Sequence, residues 1–496
     1  MKLSLRLRLL AAAAILAACG GGDDSAPRGT LSAPTETTLS LNASQFSAQV
    51  NASPATAPIL QVAGAPTCGV EVQRIRYNTV GGRGESTTAS AAVMVPTGTA
   101  VGCSGARPIV LYAHGTTTDR NYNIANLIAS ATPNAAYGEG LLIAAMYAAQ
   151  GFIVVAPNYV GYDSSPLGYH PYLNATQQSN DMVDALAAAR SVLTAGRDNG
   201  KLFITGYSQG GYVAVATHRA MQAAGQTVTA SAPLSAPSAI SLLVDYNFSG
   251  APALGSTIFT PLLSTSWQRQ FGNVYSNIRD VYEDPYAATI ETLLPSTQSI
   301  AALAQAGQFP ATQALYAADA QPPLAVPQLT PFGFYGPNNL IKSTFLAAAA
   351  TDIGNNGCAG NAFPATAGSL STTTPLNCTP ANGFRRAAVA NDLRNWVPTR
   401  PMLMCGGAND PTVNFLSTRA TAGYFTARGA TGVTTLDLEA AVTGPTDPFA
   451  LAKGGFAQAV AATFTSGGQT AVVTSYHGGL VPPFCNAAAR GFFQSM

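Results

Sequence analysis

The sequence predicts an α/β fold in which helices flank a mostly parallel sheet. Residues 109–113 (IVLYA) and 152–156 (FIVVA) are short and uniformly apolar, which is typical of parallel strands buried on both faces. Elsewhere the apolar residues follow a helical period, and Met182, Leu186 and Ala189 share one helix face. Strands that alternate with helices in this way usually form a parallel sheet that is covered on both sides.

Charge and composition narrow the classes of partner. The 24 basic and 23 acidic side chains give a net charge of +1, so the chain has no basic field with which to bind nucleic acid. Charged residues make up 9% of the 496 residues, against about 25% in ordinary soluble domains. Hydrophobic residues make up 47%, so the chain can form a large core. This balance suits a protein that acts on neutral or apolar molecules.

The N-terminus has the pattern of a bacterial export signal. Lys2, Arg6 and Arg8 precede an apolar run at residues 9–18, which is too short to cross a ~30 Å hydrocarbon core comfortably. The run ends in Leu-Ala-Ala-Cys and resembles the lipobox of bacterial lipoproteins. The resemblance implies a signal peptide at 1–18 and a lipid anchor on Cys19, in an outer-membrane lipoprotein or a secreted protein. An ordinary signal peptide with a chance cysteine is the alternative.

The remaining cysteines predict disulfide bonds. Their number is even, and an exported protein folds in an oxidising compartment. They are Cys68, Cys103, Cys358, Cys378, Cys405 and Cys485. Proximity along the chain favours pairing the first with the second and the third with the fourth, which leaves the last two, but it does not fix the connectivity. No two cysteines are spaced as Cys-x-x-Cys, so no metal site is predicted.

The chain divides into five predicted parts. After the signal peptide, residues 19–66 are rich in Gly, Ser, Thr, Ala and Pro and predict a flexible tether. Residues 67–237 and 395–496 carry the strand pattern and form one core. Residues 238–394 interrupt that pattern. Two further βα steps of the core would need only roughly 60 residues, so the insertion is longer than the core requires. The additional residues predict a mostly helical cap over the strand ends. A separate domain is the alternative for this insertion.

Further elements follow from local patterns. Strands at 70–77 and 86–95 are joined by a Gly-rich turn at 81–84 and predict a hairpin. The other predicted strands lie at 201–205, 401–405, 433–438 and 471–475, and the other predicted helices at 140–150, 209–223, 287–306 and 340–350. Four aromatic residues of the insertion either line a binding surface or form its core: Trp267, Phe271, Tyr275 and Tyr282.

A G-x-S-x-G motif is the strongest chemical signal. Gly206-Tyr207-Ser208-Gln209-Gly210 follows an apolar strand and precedes a helical pattern, which is the context that gives this motif meaning. A serine at such a turn projects above the sheet at the helix N-terminus. The helix dipole and the backbone N–H of Gln209 would then stabilise a developing negative charge. The pattern predicts Ser208 as a nucleophile, with Gly206 and Gly210 small enough to avoid clashes.

A serine nucleophile needs a base, and the sequence holds four histidines. His218 lies on the helix after the nucleophile and faces away from it, so a core or surface role is expected. His114 ends an early strand, and His170 lies in a loop. His477 follows the predicted strand at 471–475, at the edge where open parallel sheets place their sites. His477 is therefore the predicted base.

The base in turn needs an acid to orient it. Asp410 follows the strand at 401–405 in a Gly-rich loop, where its carboxylate would hold the imidazole tautomer. Asp392, Asp437 and Asp447 are the alternatives. Asp392 precedes that strand, Asp437 falls within a strand, and Asp447 lies in a Pro-flanked turn. The order Ser208, Asp410, His477 is the triad order of α/β-hydrolases.

The chain resembles α/β-hydrolases of the secretory-lipase and bacterial esterase kind. The resemblance rests on LYAHGTT (111–117), residues 151–173, GYSQGG (206–211), PMLMCGGANDP (401–411) and YHGG (476–479), and it is poor across the insertion. It implies that the turn after the early strand supplies a second oxyanion N–H at Thr116, and that His114 positions this loop. Asp163 and His170 are expected to hold a loop near the pocket.

These observations together predict a serine carboxylic-ester hydrolase that forms an acyl-enzyme. The expected substrate is a small or apolar ester, and the expected membrane contact is the lipid anchor. No cofactor, metal or nucleic acid is expected, and the sequence does not determine the oligomeric state. An exported serine aminopeptidase of the same fold is one alternative. A catalytically inactive hydrolase fold that acts as a surface binding protein is another.

Overall fold

The core of the molecule is a mixed sheet of nine strands in the described part of the chain. A computed structural model describes residues 26–130, 134–362 and 371–496. The predicted signal peptide and Cys19 lie outside these residues. The strands are β1 (Leu31–Leu41), β2 (Gly69–Val80), β3 (Ser86–Thr97), β4 (Arg107–Ala113), β5 (Ile153–Pro157), β6 (Asp198–Tyr207), β7 (Ala230–Leu234), β8 (Met402–Gly406) and β9 (Val433–Asp437).

The helices lie between and after the strands. They are α1 (Ala43–Asn51), α2 (Pro58–Ala63), α3 (Tyr137–Met146), α4 (Ala175–Val192), α5 (Gln209–Ala223), α6 (Ile240–Phe248), α7 (Ser256–Phe271), α8 (Asp284–Ala287), α9 (Ile290–Leu293), α10 (Ile300–Gln305), α11 (Ser343–Asn355), α12 (Gly383–Ala390), α13 (Leu416–Ala427), α14 (Ala450–Ser475) and α15 (Val481–Gln494). A π-helical turn, Tyr476–Leu480, joins the last two helices.

The strand order is β1-β2-β3-β5-β4-β6-β7-β8-β9. The pairings from β1 to β5 are antiparallel, and every pairing from β5 through β4 to β9 is parallel. Strands β5, β7 and β8 are buried along their whole length, as uniformly apolar segments in a parallel sheet should be. The mostly parallel sheet predicted from the alternation of strands and helices is therefore confirmed.

Helices pack against this sheet in two groups. Helices α4 and α5 contact each other and the sheet, whereas α15 packs on β6, β7 and β8 and also on α2 and α3. Only Ser208 lies between β6 and α5, so the chain turns sharply from strand to helix at this residue. This arrangement puts the G-x-S-x-G motif at the carboxyl end of a central strand.

The tether prediction is wrong for the described residues of 19–66. Strand β1 pairs along β2, and two helices follow it. Phe46 and Val50 of α1 are fully buried, and Arg28 forms an ion pair with Asp184 at 2.9 Å. The segment LSAPTETTLSL has the hydroxyl-rich composition of a linker, but its β-branched threonines also suit an edge strand with one face in solvent.

Two other predicted elements differ from the structure. The helix predicted at 287–306 is divided into α9 and α10 because Pro295, which lacks an N–H, lies between them. The strand predicted at 471–475 is the last part of α14, which bends at Gly468, where φ is 69°. The β-branched residues Val472 and Val473 favoured a strand, but Val472 instead packs in the hydrophobic core as part of this helix.

The six described cysteines form three disulfides, in the pairing that proximity along the chain favours. The bonds join Cys68 to Cys103, Cys358 to Cys378 and Cys405 to Cys485. Disulfides of this kind persist in oxidising compartments and fit an exported protein. Within residues 26–130, 134–362 and 371–496, no helix is both long and apolar enough to cross a membrane.

Helices α6 to α12 occupy the chain between β7 and β8. In their described residues, no segment joins the main sheet. Buried ion pairs tie these helices together: Arg385 of α12 bonds Asp245 of α6 at 2.6 Å and Asp352 of α11 at 2.5 Å. The insertion therefore has polar as well as apolar contacts of its own.

Candidate active site

Ser208 occupies a strained turn between β6 and α5. Its φ of 59° and ψ of −119° are unusual for a residue with a side chain. A Cβ on either Gly206 or Gly210 would overlap main-chain atoms, including the carbonyl oxygen of Ala113. The two glycines therefore allow the turn to pack tightly against β4, and the serine points out of it at the N-terminus of α5.

His477 and Asp410 complete a hydrogen-bonded chain with this serine. The Nε2 of His477 lies 2.8 Å from Ser208 Oγ, and its Nδ1 lies 2.7 Å from Asp410 Oδ2. The other oxygen of Asp410 accepts from the N–H groups of Thr412 and Val413 at 2.9 and 3.0 Å. These contacts assign the proton of the ring to Nδ1, which leaves Nε2 free to accept the serine proton.

The three alternative acids lie elsewhere. Asp392 pairs with Arg394 in a fully buried contact of 2.9 Å. Asp447 pairs with Lys453 at 2.8 Å. Asp437 accepts from two backbone N–H groups of the neighbouring loops. Each carboxylate thus has partners other than His477.

The other three histidines are buried in structural positions. Burial lowers the pKa of His170 to about 3 and that of His218 to about 4, so both rings are neutral at neutral pH. The Nδ1 of His218 lies 2.8 Å from Ser231 Oγ in the core, as expected. His114 also has a pKa that burial lowers, and both its ring nitrogens face main-chain carbonyl oxygens. None of these contacts involves Ser208.

The loop after β4 lies against the serine turn. A Cβ on Gly210 would come 2.8 Å from the carbonyl oxygen of His114, so the two segments pack main chain to main chain. Thr116 follows in the same loop, and its hydroxyl lies 2.8 Å from the hydroxyl of Tyr172. Gln209 is the first residue of α5, where backbone N–H groups lack partners within the helix.

His170 contacts the residue after the nucleophile. Its Nδ1 donates to the carbonyl oxygen of Val160 at 2.9 Å, so its Nε2 can accept from the side-chain amide of Gln209 at 2.6 Å. Asp163 accepts from Arg74 at 2.6 Å. Both residues that were expected to hold a loop near the pocket make polar contacts, which are buried for His170 and partly buried for Asp163, and His170 also contacts the Gln209 side chain.

A cavity of about 870 Å³ opens beside Ser208 and Asp410. Apolar side chains from the insertion and from α14 line it, among them Ile240, Leu243, Phe259, Leu263, Val460 and Val472. The four aromatic residues singled out in the insertion do not line it: Trp267 and Tyr282 are fully buried, and Phe271 is partly exposed at 38%. Trp267 and Tyr282 are therefore part of the core of the insertion and not of a binding surface.

The cavity presents little unpaired charge. Besides Asp410, its charged lining residues are Glu439 and Lys453. Glu439 accepts from the N–H of Asn409 at 2.8 Å and from the hydroxyl of Tyr476, while Lys453 is paired with Asp447. The walls therefore favour uncharged groups over ions.

Two residues at the site were missed by sequence reasoning. The hydroxyl of Tyr207 donates to the carbonyl oxygen of His477 at 2.5 Å, so the residue before the serine helps to hold the histidine. Glu139 of α3 accepts from the N–H of Gly115 at 3.0 Å, in the loop after β4. Tyr207 could have been noticed because it lies inside the motif, whereas no local pattern connects residue 139 with residue 115.

Within the described residues, no group of three or more His, Cys, Asp or Glu could hold a metal ion.

Known structures and families resemble this chain over different lengths. The prolyl oligopeptidase family matches residues 142–236. A ligand-bound crystal structure of the rice cell wall degrading esterase LipA from Xanthomonas oryzae is 25% identical, covers 94% of this chain and 98% of its own, and has a TM-score of 0.67. Another structure of that esterase is 26% identical, with coverages of 91% and 98% and a TM-score of 0.64. No curated protein matches the chain.

More distant likeness supports the fold alone. A Legionella pneumophila protein is 17% identical, with a TM-score of 0.63 over 93% of this chain and 97% of its own. Together with the sheet order and the strand–serine–helix turn, these matches define the class of protein. The chain is a member of the α/β-hydrolase superfamily.

Proposed function

We propose that the protein is a serine carboxylic-ester hydrolase in which Ser208, His477 and Asp410 form the catalytic triad. The observation that carries this proposal is the continuous chain of hydrogen bonds, 2.8 Å from Ser208 Oγ to His477 Nε2 and 2.7 Å from His477 Nδ1 to Asp410 Oδ2. A nucleophile, a base and an orienting acid within hydrogen-bond reach are what acyl transfer requires. The similarity to the LipA esterase over nearly the whole chain supports ester cleavage.

The proposed reaction has two halves. Ser208 Oγ attacks the ester carbonyl carbon while His477 accepts the hydroxyl proton, and Asp410 stabilises the resulting imidazolium. Collapse of the tetrahedral intermediate breaks the bond to the alcohol, which leaves with the proton from His477. Water then loses a proton to His477 and attacks the acyl-enzyme, and the acid is released as the proton returns to Ser208.

The N–H groups of Gln209 and Thr116 are the proposed donors to the oxyanion. Gln209 lies at the N-terminus of α5, where the helix dipole also favours negative charge. Gly210 packs closely on the carbonyl oxygen of His114, so the loop after β4 lies beside the serine turn. This packing supports a position for the Thr116 N–H close to the same oxyanion that the Gln209 N–H would bind. Two such donors would act mainly on the transition state, because the charge they bind develops only there.

The cavity beside the serine supports an uncharged, apolar substrate. Its volume of about 870 Å³ and its aliphatic walls can enclose the apolar part of an ester, and its charged residues are already paired. Esters with a carboxylate or an ammonium close to the reacting bond should therefore be poor substrates.

Ester turnover by the purified protein tests the proposal. We expect hydrolysis of p-nitrophenyl esters, with kcat/KM rising as the acyl chain lengthens from acetate, because each added CH₂ that is buried contributes about 0.8 kcal/mol. Ser208→Ala should abolish turnover and labelling by a fluorophosphonate while the protein stays folded. If the wild type neither hydrolyses any ester nor becomes labelled, the binding-protein alternative is favoured instead.

An exported serine aminopeptidase is the second candidate, because the prolyl oligopeptidase family matches the segment that contains the serine turn. The same triad would serve it, and the two activities differ in the bond that is broken. Turnover of aminoacyl p-nitroanilides that exceeds turnover of matched p-nitrophenyl esters would favour the peptidase. The cavity argues against it, because a free amino terminus needs an acidic partner and both carboxylates of the lining already have partners: Asp410 contacts His477, and Glu439 accepts from Asn409 and Tyr476.

The proposed location is outside the cytoplasm. The three disulfides support export, and acylation of Cys19 remains a prediction about the N-terminus. A lipid anchor would hold the enzyme at a membrane without a spanning helix. If Cys19→Ala leaves the protein in the membrane fraction of cells, this part of the proposal is wrong.

A further inference from the structure

The carboxylate of Glu139 lies beneath the loop that follows β4. Its Oε1 accepts from the N–H of Gly115 at 3.0 Å and from the hydroxyl of Tyr112 at 2.9 Å, and its Oε2 accepts from the hydroxyl of Tyr122 at 2.9 Å. Tyr112 and Tyr122 are buried, with 1% and 3% of their surface exposed. The carboxylate is thus held from three directions, and one of its partners is the main chain of the loop.

We propose that Glu139 is a positioning residue which, together with His114, aims the N–H of Thr116 at the reacting carbonyl oxygen. This inference rests on the proposed function, because it assigns a role to an oxyanion donor. It adds to that function a residue that touches no substrate atom and acts only through the main chain of the loop.

The two peptide units around Gly115 are fixed from opposite sides. Glu139 accepts from the N–H of Gly115. We assign the single proton of the neutral His114 ring to Nδ1, which donates to the Gly115 carbonyl oxygen at 2.6 Å, because its other contact with a carbonyl oxygen, from Nε2 to Asn158, is longer at 3.1 Å. In a trans peptide the C=O and the next N–H point in opposite directions. When the Gly115 carbonyl oxygen points to the His114 ring, the Thr116 N–H in the same peptide must therefore point away from that ring.

Because residue 115 is a glycine, the loop needs hydrogen bonds to hold it in one conformation. Gly115 has wide conformational freedom, and a Cβ added there would meet its nearest atom, the Tyr207 carbonyl oxygen, only at 3.6 Å. Sterics alone would therefore not hold the loop in one orientation. The two hydrogen bonds supply that restraint, and the Thr116 hydroxyl adds a third through Tyr172.

Hydrogen bonding also strengthens the donor. A carbonyl that accepts a hydrogen bond is polarised, and its own peptide N–H becomes a better donor as a result. The ring of His114 is held for this purpose between Tyr122 and Tyr159, with ring centroids 4.3 and 4.1 Å away. The Thr116 N–H should thus be both aimed and polarised before substrate arrives.

The charge of Glu139 is balanced locally, so it need not repel the oxyanion. Three donors share the carboxylate, and it lies in the first turn of α3, where the helix dipole favours negative charge. Burial and the nearby Glu139 raise the pKa of both Tyr112 and Tyr122, which keeps these phenols protonated as donors.

Three substitutions of Glu139 test the inference with p-nitrophenyl esters. Glu139→Met removes the acceptor at similar volume, and Glu139→Asp keeps the charge but withdraws it from Gly115 by one CH₂. We expect kcat to fall about 10- to 100-fold in the Met variant and less in the Asp variant, with KM nearly unchanged. Glu139→Gln keeps an acceptor of the same shape and should restore kcat to within about threefold of the wild type.

A second readout separates positioning from general stability. The affinity of a boronic acid that forms a tetrahedral adduct with Ser208 should fall by the same factor as kcat/KM. Tyr122→Phe is the matched control, because it removes another bond to the same carboxylate and keeps the ring on His114; its kcat should stay within about threefold of the wild type.

The outcomes are distinguishable. If Glu139→Asp and Glu139→Gln both keep wild-type kcat, or if Tyr122→Phe loses as much as Glu139→Met, the positioning role is overturned. If Glu139→Met does not fold, the kcat values of the Asp and Gln variants decide between a positioning and a merely structural role, since both variants retain a polar acceptor. A lower kcat in Glu139→Asp than in Glu139→Gln supports positioning, and equal values overturn it. A wild-type protein that lacks ester turnover and fluorophosphonate labelling would overturn the proposed function itself, and this inference with it.

Discussion

Buried neutral histidines make the folded state sensitive to acid. The ring of His170 is enclosed by Tyr159, Tyr162 and Gln209, and burial lowers its pKa to about 3, against about 6.5 in an unfolded chain. Between these two pH values the unfolded chain binds a proton that the folded protein does not. This contribution to stability is therefore fully present above pH 6.5 and is lost as the pH falls towards 3.

Replacing His170 should remove part of that dependence. His170→Asn keeps a donor for the Val160 carbonyl and lowers stability at pH 7 by leaving a cavity. Below pH 6.5 we expect the gap in unfolding free energy between wild type and variant to narrow by about 1.4 kcal/mol per pH unit. Urea unfolding at pH 7, 5.5 and 4.5 measures this gap.

Gln178→Ala is the matched control for this experiment. Gln178 contacts the same ring through its side-chain amide at 3.3 Å but does not titrate. Its gap from the wild type should stay constant over the same pH range. A constant gap for His170→Asn as well would show that this ring is not the source of the acid sensitivity.

Candidate site residues can be predicted from the sequence where they lie in a local pattern. Ser208 lies in a motif between a strand and a helix, and Asp410 follows a buried strand, so their joint placement at one sheet edge was predictable. Glu139 was not, because its partner Gly115 is 24 residues away and the contact depends on how α3 packs. Tertiary contacts of this kind leave no periodic signal in the chain.

At the scale of elements, one disulfide encloses most of the candidate site. Cys405 lies in the buried strand β8, and Cys485 lies on α15, 80 residues further along the chain. Asp410 and His477 both fall within the loop that this bond closes. The bond thus limits how far the two residues can separate when the chain fluctuates, since a closed loop has fewer accessible conformations.

The double variant Cys405→Ala/Cys485→Ala tests this coupling. We expect the unfolding free energy to fall by about 2–5 kcal/mol and ester turnover to be lost at a lower temperature than in the wild type. The Cys358→Ala/Cys378→Ala pair, which opens a shorter loop in the insertion, serves as control and should leave turnover near the wild-type level at 25 °C. Equal loss of activity in the two variants would contradict a specific link to the site.

Apolar sequence patterns predicted secondary structure correctly for strands that are buried on both faces, and incorrectly for a partly exposed helix. Strands β4, β5 and β8 were evident as apolar runs, because both faces of a parallel sheet are covered. Residues 471–475 also read as a strand, yet they continue α14 towards the turn that carries His477. His477 lies 2.8 Å from Ser208 Oγ, although the element that precedes it is a helix and not the strand from which its position was predicted.

At the scale of the whole molecule, the N-terminal segment belongs to the folded unit. Strand β1 covers the edge of β2, Phe46 and Val50 are buried, and Arg28 pairs with Asp184. A linker would contribute none of these contacts. The folded region therefore includes residues that composition assigned to a linker, because β-branched hydroxyl residues are common in edge strands as well as in linkers.

Removing this segment should destabilise the protein. A chain that begins at residue 67 loses two buried side chains, each worth about 1.5–3 kcal/mol, in addition to the β1 pairing. We expect its unfolding free energy to be at least about 3 kcal/mol below that of a chain beginning at residue 26, as measured by urea unfolding. Equal stabilities would instead support the tether.

The irregular pairing of β1 has a consequence for how copies of the protein meet. Its register with β2 shifts at three places, and it is rich in Thr and Ser and carries Pro34 and Glu36. Bulges, proline and charge on an outer strand hinder the addition of a strand from another molecule. With only 9% charged residues, the chain has little electrostatic repulsion to keep copies apart. The uneven outer strand thus contributes to colloidal stability, a task that surface charge performs in most proteins.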